Sequence, residues 1–421
     1  MEEVFTPPFL FFFSNFTLMR PIKFIASLLV VGLFSVSCSK SGETITPEPE
    51  PVKVPEITVL DINQPVTSAN TTMSFYVNLN KPATKAVSVD YATTDGTAVS
   101  PKDYVSASGT LTIPAGQVQA VLEVQIKGDP TNLRRANPQF TIQLSKPQFC
   151  TLGTTAVTGT ILTEDGTYLP TDNTGYTTPS TYPGYALAWS DEFSGSNLDL
   201  NSWNQEIGNG SGGWGNNELE YYTNSQKNTL ISNGNLIIEA RKEAMGGFNY
   251  SSARLTTQNK KSFKFGRVDI RAKLPVGKGL WPALWMLGTN ITSVGWPACG
   301  EIDIMELIGT YPSRVHATMH WKNAAGEHAS KGSNYNSTSG DYSQQFHVYS
   351  LVWSQDLIKC YIDDILYLTV TSGDVGAANY PFNATHFFIF NVAVGGNWPG
   401  PPDANTQFPQ RMFVDYVRVF Q

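Results

Sequence analysis

This 421-residue chain is short of charge, of cysteine and of long apolar runs, and each shortage excludes something. Charged residues make up 15% of it, against about 25% in an ordinary soluble domain. The net charge of −7 speaks against nucleic acid and anionic membrane surfaces as partners. Four cysteines in a chain this long make no disulfide framework. Cys150 falls in a different expected domain from Cys299 and Cys360. A Cys299–Cys360 bridge stays open, with small buried free thiols as the expected state. The apolar run at residues 24–36 is too short to span a bilayer comfortably. Helical periodicity is almost absent beyond residue 186. What is plentiful is Gly, Thr, Asn and aromatics, with 18 Tyr, 9 Trp and 23 Phe. That is the composition of a secreted all-β protein whose aromatic rings fill sandwich cores, stack on sugars, or do both.

Arg20 and Lys23 precede the apolar run, which ends in Ser35, Val36, Ser37 and Cys38. A basic region, a short apolar stretch and small residues describe a secretory signal. The cysteine that follows resembles the lipidated first residue of a bacterial lipoprotein, with Ser35 where leucine is usual. Residues 1–18 precede Met19 and read as an upstream extension. The expected placement is the bacterial cell envelope, lipid-anchored through Cys38, or secretion.

Residues 39–55 are rich in Pro, Glu and Thr and read as a semi-extended tether. Residues 56–165 show alternating patterns at 72–79, 86–91, 109–113 and 118–126, separated by Asp-Gly, Pro-Ala-Gly and Gly-Asp-Pro turns. About seven strands in about 110 residues fit a small β-sandwich. The stretch 89–117 (VDYATTDGTAVSPKDYVSASGTLTIPAGQ), with GTILTEDG at 159–166, resembles a Calx-beta domain. The resemblance implies Ca²⁺ in acidic loops, but the loop 128–138 carries Arg134 and Arg135 where acids are usual. A spacer or adhesion role is expected instead. Residues 166–185 read as a second linker, and 186–421 as one long all-β domain.

The hexapeptide 301–306, Glu-Ile-Asp-Ile-Met-Glu, carries the chemistry. On a strand, alternate side chains share a face. Glu301 and Asp303 therefore lie together, with Ile302 and Ile304 on the other side, and Glu306 is out of phase by one. A β-bulge at the Ile304-Met305 step, with Met305 as the inserted residue, returns Glu306 to the acidic face. The two glutamates are then about 13 Å apart at Cα by strand rise. Their carboxyls can lean toward the roughly 5–5.5 Å spacing of retaining glycosidases. Like charges this close cannot all ionise, so at least one glutamate keeps its proton near neutral pH. A solvated acidic strand face and a Ca²⁺ site are the alternatives. Repulsion between same-face acids opposes the first, and strand spacing wraps a cation poorly.

These residues sit inside a larger set of motifs: WSDEFSG (189–195), GGWGNNELEYYT (212–223), SARLTT (252–257), GRVDIRAKLPVGKGLWPALWMLG (266–288), WPACGEIDIMELIG (296–309), FHVYSLVW (346–353), NVAVGGNWPG (391–400) and VDYVRVFQ (414–421). Together they resemble a family 16 glycoside hydrolase of the laminarinase type. The resemblance implies a β-jelly-roll whose concave sheet carries the cleft. It implies Glu301 as nucleophile, Glu306 as general acid/base and Asp303 as the group that orients Glu301. It places His320 beside the acids, with His316 and Thr318 on the same face. Trp281 and Trp285, four apart on a strand, share a face, so that one or both are expected to line the cleft, and Trp296 is expected to stack a sugar ring. Asn216 and Arg254 match positions that bond sugar hydroxyls, and Trp214, Glu218 and Trp398 are weaker candidates. A structural Ca²⁺ is implied at Glu192, the Gly234 carbonyl and Asp415, with no cofactor for catalysis. The expected protein is a monomeric retaining endo-β-1,3-glucanase, with mixed-linkage β-1,3/1,4-glucan as a further substrate. A non-catalytic glucan-binding lipoprotein and a family 16 enzyme for another polysaccharide such as agarose are the alternatives.

Overall fold

The computed structural model describes residues 54–421. The expected signal, Cys38 and nearly all of the first linker lie outside them.

Residues 56–162 form nine strands in a four-stranded and a five-stranded sheet. The alternation seen in the sequence sets the inward faces. In the strand Thr71–Leu79, Met73, Phe75, Val77 and Leu79 all point into one core. Phe75 and Phe140 meet edge to face there, and Tyr104 stacks on Phe140.

The remainder is a second sandwich. One sheet of seven strands runs, in spatial order, Asn204–Gln205, Arg254–Thr256, His386–Val394, Leu280–Gly288, Glu301–Leu307, Arg314–Lys322 and His328–Asn336. An eight-stranded sheet backs it, centred on Gln410–Phe420 between Asn235–Ala240 and Gly266–Lys273. The core between them takes Val268, Ile270 and Ala272 from one side and Leu284, Ile302 and Ile304 from the other. Cys299 and Cys360 are buried free thiols in different apolar clusters, which settles their state against a bridge.

The second linker has no regular strand, yet it is fastened along the outside of the backing sheet. There, Asp269 and Arg271 alternate outward from the core residues. Tyr182 donates to Asp269 at 2.6 Å, and Arg271 donates to the carbonyls of Tyr176 and Asn173. Both Asp269 and Arg271 are buried as a result. A composition that reads as a tether thus serves as a lid over polar side chains, because those side chains offer it partners.

Arg134 has a comparable part between the two sandwiches. Only 2% exposed, it donates to the carbonyls of Gly166, Gln226 and Lys227 and to Glu239 at 3.2 Å. Glu239 also holds Arg241 and Arg411. Lys227 and Arg241 reach back to Asp165. The arginine that stands where an acid is usual in the 128–138 loop is therefore a buried bolt to the second sandwich.

The expected Ca²⁺ set does not fit a cation here. Arg418 grips Glu192 through both carboxylate oxygens, at 2.9 and 2.7 Å. Arg271, itself buried, donates to Asp415 at 2.7 Å. Each carboxylate already faces a guanidinium, whose charge repels a divalent ion. Gly234 takes φ +74 in the two-residue Asn-Gly turn between Thr229–Ser232 and Asn235–Ala240. Such turns need positive φ at both central positions, which explains the glycine without a metal.

Candidate active site

The strand Glu301–Leu307 is bulged. Across from Arg314–Lys322, Asp303 pairs with Thr318 and Glu306 with His316, so one residue faces both Ile304 and Met305. Across from Leu280–Gly288, Leu284 pairs with Met305 and Trp285 with Asp303. Ile304, not Met305, is therefore the residue without a partner on that side, which corrects the expectation. The apolar residues drive this geometry. Ile302, Ile304 and Met305 are all fully buried, and at about 1.5–3 kcal/mol for each such side chain their burial outweighs one disrupted ladder position. Glu301 stands opposite His320 and Glu306 opposite His316, four positions apart on the unbulged neighbour.

The three acids line a cleft of about 560 Å³. Trp296 donates its Nε1–H to Glu301 at 2.7 Å, and Trp281 donates to Glu306 at 3.0 Å. His320 Nε2 lies 3.1 Å from Asp303 Oδ2 and 3.9 Å from Glu301 Oε1. The Asp303 contact lacks the alignment of a hydrogen bond. Burial drives the protonation of all three. Burial is the largest influence on Glu301 and, with help from the Asp303 charge, pushes it up to about 8; His320 and the Trp296 bond pull the other way. Glu306 goes well above the usual carboxylate range through burial and then the charges of Asp303 and Glu301. Asp303, 3% exposed, is raised by burial. Glu301 has a 2.7 Å donor and an imidazole close by, while Glu306 has the single longer Trp281 bond against two acidic neighbours. The proton therefore stays longest on Glu306 among the two glutamates. Protons leave such a cluster in steps that belong to the group as a whole.

Glu301, Asp303 and His320 bring their ligand atoms within 4.8 Å of one another. The indole donors on Glu301 and Glu306 nevertheless suit carboxylates that work as anion and acid, not ones that wrap a cation.

Every expected sugar-contacting residue reaches the cleft: Trp281, Trp285, Trp296, His320, Asn216 and Arg254. Trp214, Glu218 and Trp398 do so as well. Arg254 is gripped by Glu206 and lies over the rings of Trp214 and Trp285, 4.5 and 4.8 Å from their centroids. His316 meets Trp398 edge-on at 5.0 Å, and Trp398 meets Trp281 at 5.5 Å. Thr318 also lines the cleft.

Three participants have no place in the sequence reading. Asn391 accepts from Trp285 at 2.8 Å and donates to the Tyr222 hydroxyl. Tyr222, fully buried, donates on to Glu218, which also holds Asn216. This chain of bonds fixes Trp285 and Asn216 from below. His328 lies on the edge strand His328–Asn336 and stacks on His320 at 5.0 Å. Asn391 and Tyr222 sit within the motifs 391–400 and 212–223, but pairing between distant strands has no one-dimensional signal. His328 follows a turn and belongs to no motif.

Residues 216–418 match the model for glycosyl hydrolases family 16, and residues 54–167 match that for the Calx-beta domain. Among solved structures, the laminarinase catalytic domain of Thermotoga maritima MSB8 is 47% identical with a TM-score of 0.53, over 56% of this chain and 98% of that one. A beta-glucanase of Rhodothermus marinus is 41% identical over 252 residues, 57% of this chain and 86% of its own length. The clotting factor G alpha subunit of Tachypleus tridentatus is 40% identical over 240 residues, 57% of this chain and 34% of that protein. The chain thus spans about a third of that last relative's length.

Proposed function

The chain belongs to glycosyl hydrolases family 16, and we propose that it is a retaining endo-β-1,3-glucanase for laminarin-like polysaccharide, with mixed-linkage β-1,3/1,4-glucan as a second substrate. The observation that carries this reading is the bulged strand, which presents Glu301 and Glu306 to one aromatic cleft. Glu301 attacks the anomeric carbon while Glu306 gives its proton to the departing glycosidic oxygen. A glycosyl ester forms on Glu301. Glu306, now a carboxylate, takes a proton from water as that water displaces the ester, and both glutamates return to their starting states. Asp303 and His320 hold Glu301 in place and set its charge.

The lining favours a neutral sugar chain. Five of the nine tryptophans face the cleft, and Arg254 is its one permanently cationic side chain. Indole faces stack on pyranose rings, and a sulfated polymer calls for more positive charge. Reducing-sugar release from laminarin, lichenan and agarose in parallel tests the reading, with laminarin expected to be cleaved fastest. Binding of laminarin without release would make the protein a glucan-binding module, and preference for agarose would reassign the substrate. We place the enzyme at the cell envelope through a lipidated Cys38. Palmitate labelling that persists in Cys38→Ala would refute that anchor.

A further inference from the structure

His328 has no part in the reaction as drawn above, yet among the described residues it is the group that bonds His320 Nδ1. The two strands Arg314–Lys322 and His328–Asn336 pair antiparallel, with His320 opposite Ser330 and Lys322 opposite His328. His328 is thus the diagonal neighbour of His320 on the cleft face, within reach of a long side chain. Its Nε2 lies 2.8 Å from His320 Nδ1, and the two rings stack at an interplanar angle of 20°. On its other side His328 packs on Trp296, with ring centroids 4.8 Å apart. Trp296 is the donor to Glu301. A short ring stack therefore runs from Trp296 through His328 to His320 and touches the acids at both ends.

The chemistry of His320 gives this contact a purpose. Its Nε2 faces two carboxyl oxygens, of Asp303 at 3.1 Å and Glu301 at 3.9 Å. A proton on Nε2 attracts both, whereas a lone pair there repels both. In a neutral imidazole, a proton on Nε2 leaves Nδ1 as an acceptor. Which nitrogen carries the proton is set by what the other one bonds. We propose that His328 is a positioning residue, which donates from Nε2–H to His320 Nδ1 and so holds the His320 proton on the nitrogen that faces Asp303 and Glu301. The proposal rests on the retaining-hydrolase reading, because its purpose is to keep Glu301 oriented and charged for attack.

Three variants of the full chain separate the hydrogen bond from the ring. His328→Phe keeps the stack on Trp296 and loses the donor. His328→Gln loses the ring and keeps an N–H donor. His328→Ala loses both. The primary readout is the ¹⁵N shift pattern of His320, which reports its tautomer without any substrate. The Nε2–H form is expected in wild type and His328→Gln, and a mixture with the Nδ1–H form in His328→Phe. On laminarin, His328→Phe is expected to lose about tenfold in kcat, the worth of one hydrogen bond to a charged cluster, with KM little changed. His328→Gln is expected within about threefold of wild type. An Nδ1–H tautomer in wild type overturns the proposal, as does an unchanged tautomer and kcat in His328→Phe. A wild type that cleaves no glucan overturns the hydrolase reading instead, and the tautomer measurement still stands by itself.

Discussion

Replacing Glu301 with glutamine should stabilise the protein, and more so as the pH rises. The folded state holds the Glu301 proton up to about 8, from an ordinary 4.5. The sign follows from that direction. Folded protein binds more protons than unfolded protein between these values, so stability falls as pH rises through them. At about 1.36 kcal/mol per pK unit the full cost approaches about 5 kcal/mol above pH 8. Glu301 keeps 18% of its side chain exposed, and water screens part of the penalty. A gain of about 2–3 kcal/mol at pH 9 and under about 1 kcal/mol at pH 5 is therefore expected for Glu301→Gln. The glutamine carbonyl can still accept from Trp296, which isolates the charge. All nine tryptophans lie beyond residue 185, so urea unfolding followed by tryptophan fluorescence reports on the catalytic sandwich alone. Equal gains at both pH values, or a variant that loses stability at pH 9, would refute the idea that burial of this carboxylate is a standing cost.

Other perturbations have equally defined outcomes. Trp281→Phe removes the bond that favours the Glu306 anion, so the acid keeps its proton longer and the alkaline limb of kcat/KM moves to higher pH; a downward move contradicts the assignment. Asp303→Asn removes a charge that raises both glutamates, so both limbs shift to lower pH. Arg134→Met strips a buried guanidinium from Glu239 and three carbonyls. It should cost about 2–4 kcal/mol in urea unfolding, while Arg135→Ala, at 30% side-chain exposure, should cost about 1 kcal/mol or less.

Local pattern carried much of this structure, and distant pairing carried the rest. The period-two runs located strands such as Arg314–Lys322 and His347–Ser354 to within a residue or two. The same period showed that Glu306 was out of phase with Glu301 and asked for a bulge. Sequence cannot tell which of two adjacent buried residues lacks a partner, so it points to Met305 where the register against both neighbours picks out Ile304. In the sequence, Arg134 and Arg135 stand out only as replacements for acids. Their partners lie in the other sandwich and in Asp103, and no local pattern joins them. The segment 166–185 reads as a tether because its own composition is that of one, while its anchors, Asp269 and Arg271, lie about 90 residues further on. His328 needed the hairpin to bring it to His320.

The central claim is that the bulge aligns Glu301 and Glu306 for two displacements at one sugar carbon. The anomeric form of the first product reports this directly, read by proton NMR within minutes of mixing enzyme with laminarin, before mutarotation. The bulged arrangement gives the β-anomer first. An α-anomer appearing first would mean single displacement by water, and would contradict the pairing of these two glutamates as nucleophile and acid.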